Sequence, residues 1–203
     1  MAAKFILSSR YFTKPTMAAA LATVLKADDT ARVFVSMDSD EVLELRALEE
    51  GTDLDALNAV LMPQAVKHSE YLAADVRREL LSFVEAPKDC EGVLPATPFV
   101  QLRHVEVKPD RTADYRKWRE ETIFDVVRAH EPAEVFLAYH SVISGQPGVM
   151  FIAGFSSSPE EYTAAFTSDR YAEIVRQAGD TYITGGTEGL YTKIYQQSLA
   201  QAA

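Results

Sequence analysis

The sequence predicts an α+β protein built from two copies of one strand–helix–strand–strand–helix–strand unit. The first observation is an internal repeat, since residues 5–16 and 99–110 each contain a strand-like run, then Lys-Pro, then a helix-capping residue. The second is that the apolar run Val33–Met37 has a counterpart at Val135–Tyr139. A repeat of this length constrains the architecture before any single element is assigned.

The first unit is assigned from its apolar runs and its turn residues. Pro15 is suited to the first turn of a helix, where its missing N–H costs nothing. Apolar residues then recur at helical spacing up to Leu25. The predicted elements are a strand at 5–12, a helix from Pro15 to about Lys26, strands at 31–37 and 42–48, a helical region from Gly51 to about Glu79 that Pro63 breaks, and a strand at 80–85.

The second unit repeats this order after a linker rich in proline. We divide the chain into a first unit at 1–86, a linker at 87–98 and a second unit at 99–203. Asp110 is the predicted cap of a long helix, and Gly179 is the predicted end of the last one. The predicted elements are strands at 99–107, 135–142, 149–155 and 190–195, helices from Asp110 to about Glu131 and from Pro159 to Gly179, and a turn at 144–148. Residues 181–184 and a Gly185-Gly186 turn precede the last strand.

Each half has the element order of a ferredoxin-like βαββαβ unit. Such a unit covers one face of its sheet with its own helices and leaves the other face open. The strand Val135–Val142 is apolar on both faces except at His140 and Ser141, which predicts burial on both faces. We therefore expect the two sheets of one chain to pack face to face.

This arrangement resembles the dimeric α/β-barrel superfamily, here with both units fused in one chain. Residues 67–85 look like the antibiotic-biosynthesis-monooxygenase branch, and residues 138–148 look like uncharacterised bacterial members. The superfamily includes cofactor-free monooxygenases, haem-binding and haem-degrading enzymes, isomerases and proteins with no known activity. The resemblance implies the fold, and a fold alone does not select one of these activities.

Composition narrows the classes of partner. The net charge of −10 over 203 residues argues against nucleic acid, which requires clustered Lys and Arg. Cys90 is the only cysteine, so an intrachain disulfide is excluded and a reducing, cytoplasmic location is expected. No run approaches the ~18 apolar residues of a membrane span. The basic, apolar start of the chain is interpreted as a strand and helix rather than a targeting segment, because residues 5–12 have an internal counterpart.

The candidate site residues come from comparing the two copies. Arg10 and His104 occupy the same position of the repeat, inside otherwise apolar strands. If that face lines the space between the sheets, the two side chains converge on one cavity. We predict that His104, Tyr139 and His140 are catalytic, acting in proton transfer, and that Arg10 and Arg103 bind the ligand.

Structural interpretations of the same residues stay open at this point. Arg10 and His104 lie near strand ends and could reach solvent or an acidic neighbour such as Glu106. Tyr139 could be a packed tyrosine, and His140 a hydrogen-bonded or solvent-side histidine. His68 could ligate haem by analogy with the haem-degrading relatives, but the expected first-strand asparagine is replaced by Ser8, Ser9 and Arg10, so a surface histidine is favoured.

The sequence therefore predicts a protein that holds a small organic molecule between sheet and helices, with no metal and no cofactor. The first hypothesis is an enzyme resembling cofactor-independent monooxygenases or isomerases, with its chemistry in the second unit. The alternatives are a non-catalytic ligand-binding or assembly module and a haem protein. A homodimer is left open, because fusion can satisfy the usual pairing of units within one chain.

Overall fold

A computed structural model describes residues 1–25, 27–143 and 148–198. Within those ranges the chain forms eight strands and six α-helices, connected in places by single turns of 3-10 helix. The strands are β1 (Phe5–Phe12), β2 (Ala31–Ser36), β3 (Glu41–Leu48), β4 (Arg77–Lys88), β5 (Phe99–Val105), β6 (Val135–Ile143), β7 (Val149–Phe155) and β8 (Leu190–Gln197). The helices are α1 (Ala18–Val24), α2 (Leu54–Lys67), α3 (Thr112–Glu121), α4 (Ile123–Ala129), α5 (Pro159–Thr163) and α6 (Asp169–Thr181).

The strands close into one antiparallel barrel in the order β1-β3-β2-β8-β5-β7-β6-β4. Each unit contributes four neighbouring strands, and the units join where β2 pairs with β8 and where β4 pairs with β6. The β4–β6 junction contains irregularities in register, whereas the β2–β8 junction is regular but short. Closure leaves neither sheet with an open edge. The predicted fold, two ferredoxin-like units packed as an intrachain α/β barrel, is confirmed.

Apolar side chains fill the barrel interior. Because side chains alternate along a strand, one residue in two points inward. Inward positions of both units form a single buried cluster that includes Phe34, Leu43, Leu81, Leu102 and Met150. The space between the sheets is therefore largely a packed core, as in other small barrels.

The helices cover the outside of the barrel unequally. Outward residues of β5, β6 and β7 pack against α3, α4 and α6 in a cluster rich in aromatic rings. The corresponding cluster of the first unit is smaller and rests mainly on α1. Every residue of α2 retains some solvent exposure. The second unit thus has the larger apolar cluster between sheet and helices.

The segment between the units closes one end of the barrel. Cys90 and Leu94 join the interior cluster, together with Ala2 and Ala3. Gly154 on β7 accommodates this close approach, because a Cβ atom there would lie 2.6 Å from the hydroxyl of Thr97. Burial raises the pKa of the Cys90 thiol, and nearby Asp89 adds to the effect. The free thiol is thus held in its less reactive, protonated form.

Several predicted boundaries were wrong for local reasons. Pro63 lies inside a continuous α2 instead of breaking it. Proline has no N–H to donate to the preceding turn, and because α2 is exposed the carbonyl without a donor can bond to water instead. The long helix predicted from Asp110 begins as a 3-10 turn and divides at Thr122 into α3 and α4. The Thr122 hydroxyl donates to the carbonyl of Trp118 at 2.7 Å, competing with the helical hydrogen bond.

Other boundaries shift without changing the order of elements. The closing strand of the first unit begins at Arg77 and runs to Lys88. The last helix continues past Gly179 to Thr181, and Ile183 in the segment that follows forms one bridge with Val107. The predicted end of the first helix at Lys26 and the turn at 144–147 lie outside the described residues. No helix within the described ranges has the length and hydropathy needed to cross a membrane.

Candidate functional site

The predicted site residues lie on two sides of the barrel wall. Arg10, His104 and Tyr139 point into the barrel, as members of inward-facing rows that include Ile6, Val100 and Leu137. Arg103 and His140 each lie one position away from an inward residue and point outward, toward the helices. The structure therefore brings Arg10 and His104 to the same barrel end but separates them from Arg103.

Arg10 is part of a buried ion-pair network at that barrel end. Its Nε and Nη2 atoms donate to the two carboxylate oxygens of Glu41 at 2.6 and 2.9 Å. Tyr195 also donates to Glu41, and Nη2 of Arg10 reaches the hydroxyl of Tyr191 at 2.9 Å. Burial alone would lower the pKa of Arg10, but the hydrogen bond and charge of Glu41 raise it above its usual value. The charge of Arg10 is thus already matched by the protein.

His104 faces a carboxylate of the other unit. Its Nε2 atom lies 3.5 Å from Oε1 of Glu79 on β4, and this nitrogen is buried without a hydrogen-bond partner in the described part of the chain. Ser141 on β6 donates to the same Glu79 oxygen. Arg10 and His104, the two residues predicted to line the space between the sheets, therefore each lie beside an acidic residue. Neither of these acidic residues is Glu106.

Tyr139 and His140 are in different surroundings. Tyr139 is fully buried in the barrel core, donates to the carbonyl of Ala3 at 2.9 Å and packs edge-on against Phe83. Burial raises its pKa, and Cys90 and Asp89 add smaller effects. His140 lies on the helix side, where burial lowers its pKa and the charges of Arg119 and Arg116 lower it further. Their catalytic roles remain predictions, and the two side chains do not share a cavity wall.

The second unit holds a cavity of about 210 Å³ between its sheet and its helices. The outer face of β5, β7 and β8 forms one wall, and α3 and α6 form the other. Most of the lining is aliphatic or aromatic: Val105, Tyr115, Ile123, Phe151, Phe166, Tyr171, Ile174, Val175, Ala178, Ile183 and Leu190, to which Arg103 and Thr192 add polar groups. We call this space the helix-side cavity.

Arg103 is the only cation in the lining of the helix-side cavity within the described chain. Its guanidinium stands 5.0 Å from the ring centre of Phe166 and 5.4 Å from that of Tyr171. Nη1 donates to the hydroxyl of Tyr171, and Nη2 makes a long contact of 3.4 Å with Oε1 of Gln101. Among the described residues no carboxylate pairs with Arg103, unlike Arg10, which pairs with Glu41.

Sequence reasoning included Arg103 but missed its neighbours. Tyr171 and Tyr115, which line the same cavity, were not among the predicted site residues. The alternation of side chains along β5 could have indicated this cavity. Arg103 lies between the inward residues Leu102 and His104 and must therefore face the helices. Nothing in the sequence indicates that Phe166, in a 3-10 turn after α5, reaches the same cavity.

The helix-side cavity does not fit a haem group. Its volume of about 210 Å³ is below the range of ~300–1,000 Å³ typical of cofactor and drug-sized ligand pockets. Its described lining contains neither histidine nor cysteine, and burial raises the pKa of Tyr115, which opposes the phenolate that would bind iron. The described residues also bring together no group of three or more potential metal ligands.

His68 was predicted to be a surface residue, and this is wrong. It caps the C-terminal end of α2 and is 4% exposed. Burial lowers its pKa, and the charge of Lys67 lowers it further. It borders a groove of about 300 Å³ that also includes Glu44 and Arg46, which pair with each other at 2.9 Å. This charged lining differs from the apolar surroundings that a porphyrin ring requires.

Solved structures with the same arrangement cover almost the entire chain. An anthrone oxidase-like protein is 12% identical, with a TM-score of 0.65 over 96% of this chain and 91% of that one. A haem-degrading enzyme from Listeria monocytogenes is 6% identical, with a TM-score of 0.57 over 96% and 99%. An uncharacterised ferredoxin-fold protein from the same organism, related to antibiotic biosynthesis monooxygenases, is 7% identical, with a TM-score of 0.52 over 94% of both chains.

The chain has the dimeric α/β-barrel fold. The two units that give this fold its name lie here in one polypeptide. At 6–12% identity these similarities establish the architecture and leave the activity open. No model of a known family and no curated protein sequence matches the chain.

Proposed function

We propose that this α/β-barrel protein binds a small organic anion in the helix-side cavity of its second unit. The observation that carries the proposal is Arg103, a guanidinium without a carboxylate partner among the described residues, in a lining that is otherwise mostly apolar. A partly buried cation in apolar surroundings loses hydration, so an anionic ligand that restores charge-assisted hydrogen bonds is favoured.

The geometry of Arg103 supports recognition of a carboxylate or a comparable oxyanion. The guanidinium lies within 5.4 Å of the ring centres of Phe166 and Tyr171, and its N–H groups point along the plane of the fork. Of these groups, Nη1 contacts the Tyr171 hydroxyl and Nη2 makes only the long contact with Gln101. Thr192 is the direct cross-strand neighbour of Arg103 and adds a hydroxyl at the same end of the cavity.

The test measures binding of matched acids and amides by ligand-observed NMR. Benzoate and hexanoate are compared with benzamide and hexanamide, on the wild-type protein and on Arg103→Met. We expect at least one acid to bind and its amide to bind far more weakly, with the Arg103→Met variant losing about ten- to a hundredfold in affinity for the acid. Arg176→Met, which removes an exposed arginine from α6, is the matched control and should bind as the wild type does.

A second candidate is a monooxygenase-like reaction that consumes oxygen. It is favoured because Arg103 would stabilise the anionic form of an electron-rich substrate, which could then react with molecular oxygen without a cofactor. The described lining contains no imidazole or carboxylate, so the substrate would have to enter as an anion. The same feature argues against an isomerase, which requires a positioned base.

Oxygen uptake separates these two candidates. Purified protein is incubated with 2,5-dihydroxybenzoate, a carboxylate that oxygen can oxidise. Uptake above the protein-free rate that disappears in Arg103→Met supports the enzyme. Binding of the same compound without uptake supports the non-catalytic ligand-binding protein.

A further inference from the structure

We infer that the ligand of the helix-side cavity is an acid with a single aromatic ring, and that Ile174 sets the limit on ring number. This inference rests on the proposed function and specifies its ligand.

Cavity volume limits the size of the ligand body. A buried apolar cavity of about 150 Å³ accommodates benzene, and the helix-side cavity has about 210 Å³. The difference leaves room for a carboxylate or another small substituent on one ring. A fused second or third ring would require the walls to move apart.

The polar groups lie at one end of the cavity. Arg103 and Thr192 form one cross-strand pair on the outer face of the barrel, and Val105 and Leu190 form the next pair on that face. Thr192 is exposed, whereas Val105 is 2% exposed. The cavity thus runs from a polar end near solvent to an apolar end in the core, which orients an amphipathic acid with its carboxylate on Arg103.

The walls of the cavity are suited to a ring. Phe151, the cross-strand neighbour of Arg103 on β7, and Tyr115 of α3 both line the cavity and are buried. Aromatic pairs contribute stabilisation beyond the burial of area, through offset or edge-to-face contacts. A ring therefore gains contacts here that an alkyl chain of similar size does not.

The helix and strands that enclose the cavity set a strict limit on the number of rings in the ligand. Ile174 and Ala178 line the cavity from α6, which is packed against the outer sheet face, and Ile174 is 7% exposed. Interiors built from packed helices and strands do not expand freely to admit an extra ring. Shortening Ile174 is therefore the direct way to lengthen the space available to a ligand.

The experiment compares three acids by isothermal titration calorimetry: benzoate, 2-naphthoate and cyclohexanecarboxylate. We expect the wild-type protein to bind benzoate on the order of tenfold or more tightly than either of the others. The Ile174→Ala variant should bind 2-naphthoate at least as tightly as benzoate. Ile152→Ala, which shortens an isoleucine in the barrel core, should keep the wild-type order and so controls for general destabilisation.

Each outcome has a definite meaning. Wild-type protein that binds 2-naphthoate or cyclohexanecarboxylate as tightly as benzoate overturns the one-ring inference but leaves the anion-binding proposal in place. Failure of every acid to bind overturns both. If Ile174→Ala does not fold, Val175→Ala provides the second variant, since Val175 lines the same cavity. An unchanged preference in the folded variants would show that α6 does not set the limit.

Discussion

Tyr195 donates a hydrogen bond of 2.5 Å to Glu41, and this contact joins β8 of the second unit to β3 of the first. Both side chains are fully buried. Arg10 binds the same carboxylate, and Lys193 lies 3.5 Å from it. The carboxylate of Glu41 therefore contacts three side chains from the two units at the barrel end, beside the β2–β8 junction.

Replacing Glu41 should destabilise the whole barrel. Glu41→Gln keeps the shape of the side chain but leaves Arg10 without its counter-ion, and breaking a buried ion pair costs about 3–5 kcal/mol. Urea unfolding measures the change. Glu50→Gln removes an exposed partner of Lys4 and should leave the unfolding midpoint unchanged. A Glu41→Gln protein as stable as the control would show that the ion-pair network around Glu41 does not stabilise the β2–β8 junction.

Substitution of His104 should distinguish the barrel interior from the helix-side cavity. His104 points into the barrel toward Glu79, whereas its neighbour Arg103 points to the helices. We therefore expect His104→Gln to bind the carboxylate probe with unchanged affinity, while Arg103→Met loses binding. The measurement is the same NMR titration for both variants. Loss of probe binding in His104→Gln at wild-type stability would restore His104 to the binding site.

Strands are easier to predict from the sequence than the cavities that those strands enclose. The repeat matches Arg10 with His104, and alternation along a strand determines the face on which each lies. Whether that face encloses a cavity depends on the volumes of Phe34, Leu43 and other side chains from both units. Packing of this kind is a property of the assembled barrel and has no local sequence signature.

The outward face was harder to predict for a related reason. Arg103 is adjacent to His104 in sequence, and only its position opposite α6 gives it Tyr171 as a neighbour. The buried position of His68 was missed similarly, since it follows from the packing at the end of α2 and not from helix periodicity.

Stability should fall on mild acidification because of one buried histidine, His68, and one half-buried histidine, His140. Burial lowers the pKa of both His68 and His140 in the folded state, so the unfolded chain binds protons first as the pH drops below about 6.5. The free energy of unfolding should therefore decrease from about pH 6.5 toward pH 5, before most carboxylates titrate. Urea titrations across this window measure the slope. His68→Gln and His140→Gln should each flatten it, and an unchanged slope in the double variant would contradict this origin.

Gly154 should be intolerant of even one added carbon, and the cause can be tested by compensation. A Cβ atom at this position would lie 2.6 Å from Oγ1 of Thr97 and 3.3 Å from Cβ of Pro95, where the segment between the units crosses the barrel end. Overpacking of this kind costs about 1–3 kcal/mol, so Gly154→Ala should lower the free energy of unfolding by that amount.

Thr97→Ala removes the closest atom of the clash and also a hydrogen bond to the carbonyl of Phe99. The double variant should therefore recover part of the loss caused by Gly154→Ala, with a coupling that urea unfolding of all four proteins resolves. Strict additivity of the two changes would show that the segment between the units does not press on β7 at this point.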